Sequence, residues 1–184
     1  MNDYDGDVKI YVGKAESEAS DFDGIAKDIG FHKENGNLLK AQRLGAAMAD
    51  LKPDDKRLGI LRPDDDLTSP ILYQARVLIT FLCGRCAREN IKAPILTDTV
   101  RTAMYDRLKE NEHGYYTNIA DGAAFSFYRL ALKKDGDKSK LVGDEFAKLC
   151  GSAKDKSLKE LGSRIYTGTV AYLINIIKEC DFKY

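Results

Sequence analysis

Apolar residues are densest between positions 69 and 90, and their spacing predicts a helix there. From residue 71 to residue 83, the only polar side chains are Gln74, Arg76 and Thr80. A helix that is apolar on nearly all sides is surrounded by other elements rather than laid on a surface. At ~1.5 Å per residue it would be roughly 33 Å long, about the width of a small domain. The pattern therefore predicts a central helix that the rest of the chain covers.

Signals at both ends support these limits. Ser69 can cap the first turn through its hydroxyl, and Pro70 suits the first helical position because its missing N–H is not needed there. The polar side chains of Arg85, Arg88 and Glu89 should carry the far end out of the core.

Weaker apolar stripes with helical spacing predict the other elements. The stripes cover residues 15–29, 38–51, 96–108, 120–132, 141–150 and 158–180. Gly114 should close the third of these helices, Thr117 or Asn118 should cap the fourth, and Asp155 should cap the last. Gly162 and Gly168 near the last stripe should let a neighbouring helix approach closely. The fold class is all-α, a single-domain bundle of about seven helices.

The N-terminal segment and one connection interrupt this regularity. In residues 1–14, alternating apolar positions fit either a short strand or an extended arm. Residues 52–68 contain two prolines and an acidic run, and they are long for a connection. They are a predicted boundary between an arm with a helical hairpin, residues 1–51, and the main bundle, residues 69–184. We expect one compact domain overall.

Composition fits a folded, soluble chain. Of 184 residues, 43% are hydrophobic and 32% charged, and the formal net charge is zero. Residues 1–68 carry 15 acidic and 10 basic side chains, and residues 69–184 carry 14 and 19. We expect the acidic third to pack on the basic remainder. A neutral chain gives no general reason to expect a nucleic acid or a membrane as partner, although Arg85, Arg88 and Lys92 could together contact phosphates.

Location is predicted from what the chain lacks. The acidic N-terminus has no apolar secretory region, and the uncharged run of residues 165–177 is too short to span a bilayer. The four cysteines lie in apolar, helical contexts that suit reduced thiols. These features predict a cytoplasmic protein.

Two short motifs could carry chemistry. Cys83 and Cys86 form a C-x-x-C, but they lie mid-helix, away from the helix N-terminus that activates redox thiols. A zinc site would need a second cysteine pair. Glu110 and His113 have the E-x-x-H spacing of di-iron bundles without a second such motif, so His113 is predicted to cap the end of a helix. The sequence predicts no metal site and no cofactor.

Arg76 is the strongest single candidate for a functional residue. Its guanidinium must reach water or meet an acid, as an ion pair or by extending to solvent, or else it anchors an anionic ligand. The arrangement most like a reactive cluster is a predicted turn between two helices, at residues 113–121. The candidate binding residues are Arg76, His113, Tyr115, Tyr116 and Asp121.

These observations favour a non-catalytic protein–protein interaction or regulatory module, with another protein or a second copy as partner. The first alternative is a small-ligand-binding protein or enzyme with a pocket between helices, near Arg76 or the 113–121 turn. The second is a thiol redox or metal protein acting through Cys83 and Cys86. An enzyme is the less favoured class, because no arrangement of catalytic groups is legible in the sequence.

Overall fold

The structure is a computed structural model that describes residues 13–65 and 68–184, without the side chains of residues 13–23, 120 and 121. The alternating positions predicted as a strand or arm lie at residues 8–12, outside the described residues. Residues 13 and 14 begin the first helix.

The described chain is all-α, as predicted, and contains no strand. It has eight α-helices and one short 3-10 turn, Lys56–Leu58. The helices are α1 Gly13–Glu34, α2 Asn37–Ala49, α3 Ser69–Asn90, α4 Pro94–Asn111, α5 His113–Asp121, α6 Ala124–Lys133, α7 Lys138–Leu149 and α8 Lys156–Glu179. No described helix combines the length and the apolar character needed to cross a membrane.

The central helix is α3, and both of its ends match the prediction. It contacts α2, α4, α6, α7 and α8. Leu78, Leu82 and Cys83 on this helix are completely buried. One detail was wrong: Ser69 is the first helical residue, and Thr68 occupies the cap position without a side-chain hydrogen bond. Residues 75–83 of α3 are buried except for Arg76, which explains why this part of the helix is apolar around its whole circumference.

The described residues form eight α-helices rather than about seven, because residues 113–121, predicted as a turn between helices, form α5. Gly114, predicted to close the preceding helix, therefore lies inside α5. The chain between α5 and α6 passes through Gly122, whose φ of −80° and ψ of 141° are extended rather than helical. Thr117 and Asn118 therefore lie inside α5 and cap no helix. The break separates α5 from α6, and α5 is the element that carries most of the predicted site.

Close approaches between elements occur where glycines face a neighbour. A Cβ on Gly162 would lie 2.6 Å from the Cβ of Phe146, so α7 packs directly on the α8 backbone at this point. At Gly168 the neighbour is the carbonyl of Leu58 in the 3-10 turn, not a helix. The segment between α2 and α3 thus runs across α8, with Leu58 and Ile60 buried in the core.

Helix α1 is less enclosed than its apolar stripe predicted. Ile25 and Ile29 on this helix are 55% and 39% exposed. Near its C-terminal end, His32 is buried, and its ring nitrogen Nδ1 lies 2.8 Å from the side-chain amide nitrogen Nδ2 of Asn37. Of the α1 side chains that the structure describes, residues 24–34, His32 is the buried one.

Candidate functional site

The ion pair between Arg76 and Glu112 is the centre of the candidate site. Arg76 projects from α3, and Glu112 is the residue between α4 and α5, where φ of −148° and ψ of 59° interrupt the helical path. Nη2 of Arg76 donates to Oε1 of Glu112 at 2.6 Å, and Nη1 donates to the other carboxylate oxygen. This two-point pairing is the strong form of an arginine–carboxylate contact. Of the roles predicted for Arg76, the structure shows the internal ion pair.

Tyr115 covers the guanidinium. The Cζ atom of Arg76 lies 4.2 Å from the centre of the Tyr115 ring, within the range of a cation–π contact. The Tyr115 hydroxyl lies 2.8 Å from the hydroxyl of Thr80. The ring of Tyr73 meets Tyr115 edge-on, with centroids 5.9 Å apart. The aromatic rings therefore hold the ion pair in a fixed position beside them.

Both ionisable partners of Arg76 are held in one protonation state at neutral pH. Hydrogen bonds from Arg76 lower the pKa of Glu112, so its carboxylate stays ionised. Burial raises the pKa of Tyr115 well above its ordinary value, so its phenol stays protonated. The charge on Arg76 is thus balanced internally, and neither partner is poised to exchange a proton near neutral pH.

A groove of about 640 Å³ lies beside this pair, and we call it the Arg76 groove. It runs between the α2–α3 connection, the first turns of α3, and α5. Its lining residues are Lys52, Pro53, Asp54, Leu61, Ser69, Leu72, Tyr73, Arg76, Tyr115 and Asn118. Leu61, Leu72 and Tyr73 are half-buried, whereas Lys52, Asp54 and Asn118 are exposed. The groove therefore has an apolar floor and a polar rim.

One donor of Arg76 is left over. Its Nε atom is buried and has no hydrogen-bond partner among the described residues. An unsatisfied buried donor costs about 1–3 kcal/mol relative to a paired one.

The structure separates two of the other predicted site residues, His113 and Tyr116, from this groove. His113 is exposed and is the first residue of α5, so its predicted role at the end of a helix is wrong. Tyr116 packs on Tyr105, with ring centroids 6.3 Å apart, and lines a different cavity of about 210 Å³. The side chain of Asp121 lies outside the described residues. The structure therefore brings together Arg76 and Tyr115 from the predicted set.

Sequence reasoning missed the floor of the groove. Tyr73 precedes Arg76 by three residues, a spacing that places both on one helical face, so this residue could have been found. Leu61 and Pro53 could not, because the path of the α2–α3 connection past α3 is set by tertiary packing.

The cysteine pair lies in the core. Cys83 is completely buried and Cys86 is 2% exposed. Burial raises the pKa of the Cys86 thiol to about 11 and that of Cys83 higher still, which keeps both thiols protonated. In the part of the chain that the structure describes, no group of three or more His, Cys, Asp or Glu side chains could hold a metal ion.

We expect the Arg76–Glu112 pair to make stability depend on pH. The folded pKa of Glu112 is below its ordinary value of 4.5, so the pair stabilises the fold fully above that value and progressively less as pH falls through the folded pKa. At pH 7, Glu112→Gln should lower the free energy of unfolding, because it removes the charge that pairs with Arg76. We expect a loss of about 1–2 kcal/mol and not more, since the glutamate side chain is a third exposed and water weakens the pair. Urea unfolding of both proteins between pH 7 and pH 3 measures this. A difference that does not shrink in acid would contradict it.

Comparison with protein-family models, with curated proteins and with solved structures finds no match to the chain.

Proposed function

We propose that the protein is a non-catalytic binding module that docks a segment of a partner protein in the Arg76 groove. The observation that carries this proposal is the groove's composition, an apolar floor of Leu61, Leu72 and Tyr73 surrounded by exposed polar side chains. Protein interfaces have this plan, with an apolar centre and a polar rim. Tyrosine and arginine, both present here, are also the residues that most often dominate binding energy.

The chemistry of the groove indicates what the partner presents. Its rim carries one exposed base, Lys52, and one exposed acid, Asp54, so it does not select a strongly charged molecule. The floor fits an aromatic or branched aliphatic side chain set against Tyr73 and Leu72. The partner segment is therefore an apolar anchor within a peptide of low net charge.

The protonation states beside the groove support binding rather than catalysis. Glu112 is held as a carboxylate by Arg76, and Tyr115 is held as a phenol by burial. A general acid or base works best with a pKa near the operating pH. These groups are positioned to hold a ligand rather than to transfer a proton.

A small apolar molecule is the second candidate occupant. A volume of about 640 Å³ falls within the range of small-molecule pockets. Such a ligand would occupy the same floor. A partner protein remains our first proposal because the groove's rim is exposed and polar on both sides.

The cellular setting forms part of the proposal. The four cysteines are free thiols, and two of them are buried in the core. A reducing compartment such as the cytoplasm would keep them in that form.

Selection from a displayed library of random peptides tests the proposed function. We expect peptides with a shared aromatic or aliphatic anchor to bind the wild-type protein. They should lose at least about tenfold in affinity for Leu72→Arg, which places a charge on the groove floor. The matched control is Leu39→Arg on α2, because Leu39 is 51% exposed and does not line the groove.

Two outcomes would overturn the proposal, and a third would identify the partner. Selected peptides that bind the Leu72 and Leu39 variants equally would place the site elsewhere. Failure to select any peptide, with binding of indole or phenol probes at the groove, would favour the small molecule. Self-association that Leu72→Arg abolishes would identify the partner as a second copy.

A further inference from the structure

A second cleft, of about 360 Å³, lies between the C-terminal half of α3, α4 and α6. We call it the basic cleft. Phe81, Tyr105 and Phe125 provide aromatic surface in it, and the rings of Phe81 and Phe125 have their centroids 5.6 Å apart. None of its lining residues belongs to the Arg76 groove. The two sites use opposite halves of the central helix.

Positive charge is concentrated in this cleft. The bases that line it are Arg85, Arg88, Arg101, Arg129 and Lys133, and the one acid is Glu89. The lining thus carries a formal charge of +4, five bases less one acid, in a chain whose net charge is zero. Among the residues that the structure describes, none before Phe81 lines the cleft.

Some of these bases are not neutralised. Arg85 pairs with Glu89 at 2.7 Å, and Arg101 approaches Asp98 at 3.6 Å. Arg88, Arg129 and Lys133 form no ion pair with any residue that the structure describes. Clustered like charges repel one another, and a bound anion relieves that repulsion.

The spacing of the bases suits a multidentate anion. Arg85 and Arg88 are three residues apart on α3, and Arg129 and Lys133 are four apart on α6, so each pair lies on one face of its helix. Guanidinium groups match phosphate oxygens in two-point hydrogen bonds. Phosphate is therefore the anion that this set of donors favours.

The aromatic surface narrows the ligand further. We propose that the basic cleft binds a nucleoside phosphate, with the base against the rings of Phe81, Tyr105 and Phe125 and the phosphates on Arg88, Arg129 and Lys133. Bases stack on aromatic side chains whatever their sequence. The cleft's volume is that of a small-ligand pocket. The neutral whole-molecule charge argues against an extended nucleic acid, which would need a longer basic track.

Calorimetric titration with ATP at fixed salt tests this inference. Adenosine and tripolyphosphate serve as the two halves of the ligand. We expect ATP to bind more tightly than either half. The double variant Arg88→Gln/Arg129→Gln should have an affinity for ATP at least about tenfold lower. Arg43→Gln, on exposed α2 surface away from the cleft, is the control and should change nothing.

A second variant tests the cleft without changing charge. Gly84 lines the cleft, and a Cβ there would meet no atom within 4 Å, so the side chain in Gly84→Leu starts without a clash and should occupy part of the cleft. It should also weaken ATP binding. Thermal melting monitored by circular dichroism checks that both variants fold.

Several results would overturn the inference. A dissociation constant for ATP above about 1 mM would show that the cleft is not a nucleotide site. Tripolyphosphate as tight as ATP would reduce it to unselective anion attraction. A single-stranded oligonucleotide bound more tightly than ATP would make the ligand a nucleic acid. None of these results affects the proposal for the Arg76 groove.

Discussion

Gly45→Ala is expected to destabilise the fold by about 2–4 kcal/mol, although alanine is the better helix former. Gly45 lies on α2 against the backbone of α4. A Cβ there would lie 2.9 Å from the Cβ of Ala103 and closer still to the carbonyl oxygen of Val100. Because the obstacle is main chain, a rotamer change cannot relieve it. Urea unfolding followed by circular dichroism measures the loss.

Gly84→Ala is the matched control. Gly84 is also inside a helix, but its added Cβ meets nothing within 4 Å. This variant should gain up to about 1 kcal/mol from helix propensity. If the two alanine variants unfold at the same urea concentration, α2 and α4 do not pack as closely as described.

Leu78→Ala is expected to cost about 3–5 kcal/mol, since Leu78 is completely buried in the middle of α3. Leu72, six residues earlier on the same helix, is half-buried and outside the core cluster. Leu72→Ala should lower the free energy of unfolding by less than about 1 kcal/mol. It should instead weaken the binding of the selected peptides. Equilibrium unfolding and peptide titration of both variants separate the two roles. An equal loss of stability would mean that the groove floor is core.

The central helix could be predicted because its signals are local. A proline-started apolar run of this length fixes the element and both of its ends without knowledge of its neighbours. The break between α5 and α6 gave no such signal. The apolar stripe of residues 120–132 continues through Gly122, and a glycine inside a helical pattern is tolerated. Packing of Phe125 on Phe81 instead holds α6 against α3.

The candidate site could be predicted only in part, because its members are distant in sequence. Arg76 was identified from the cost of placing a charge in an apolar helix. Its partner Glu112 is 36 residues away in the chain. His113 was wrongly predicted to cap the C-terminal end of a helix, because it is followed by a glycine, which often ends helices. The basic cleft combines α3 with α6, and no local spacing brings Arg88 and Arg129 together.

Chemical-shift mapping is the most direct test of the central claim, that the Arg76 groove is where the protein binds its partner. The ¹⁵N-labelled protein would be titrated with a peptide selected from the displayed library. We predict that the largest shifts fall on the amides of Leu61, Leu72, Tyr73 and Tyr115, with little change at Ile25 and Ile29 on α1. Largest shifts on α1, with the groove amides unmoved, would contradict the account.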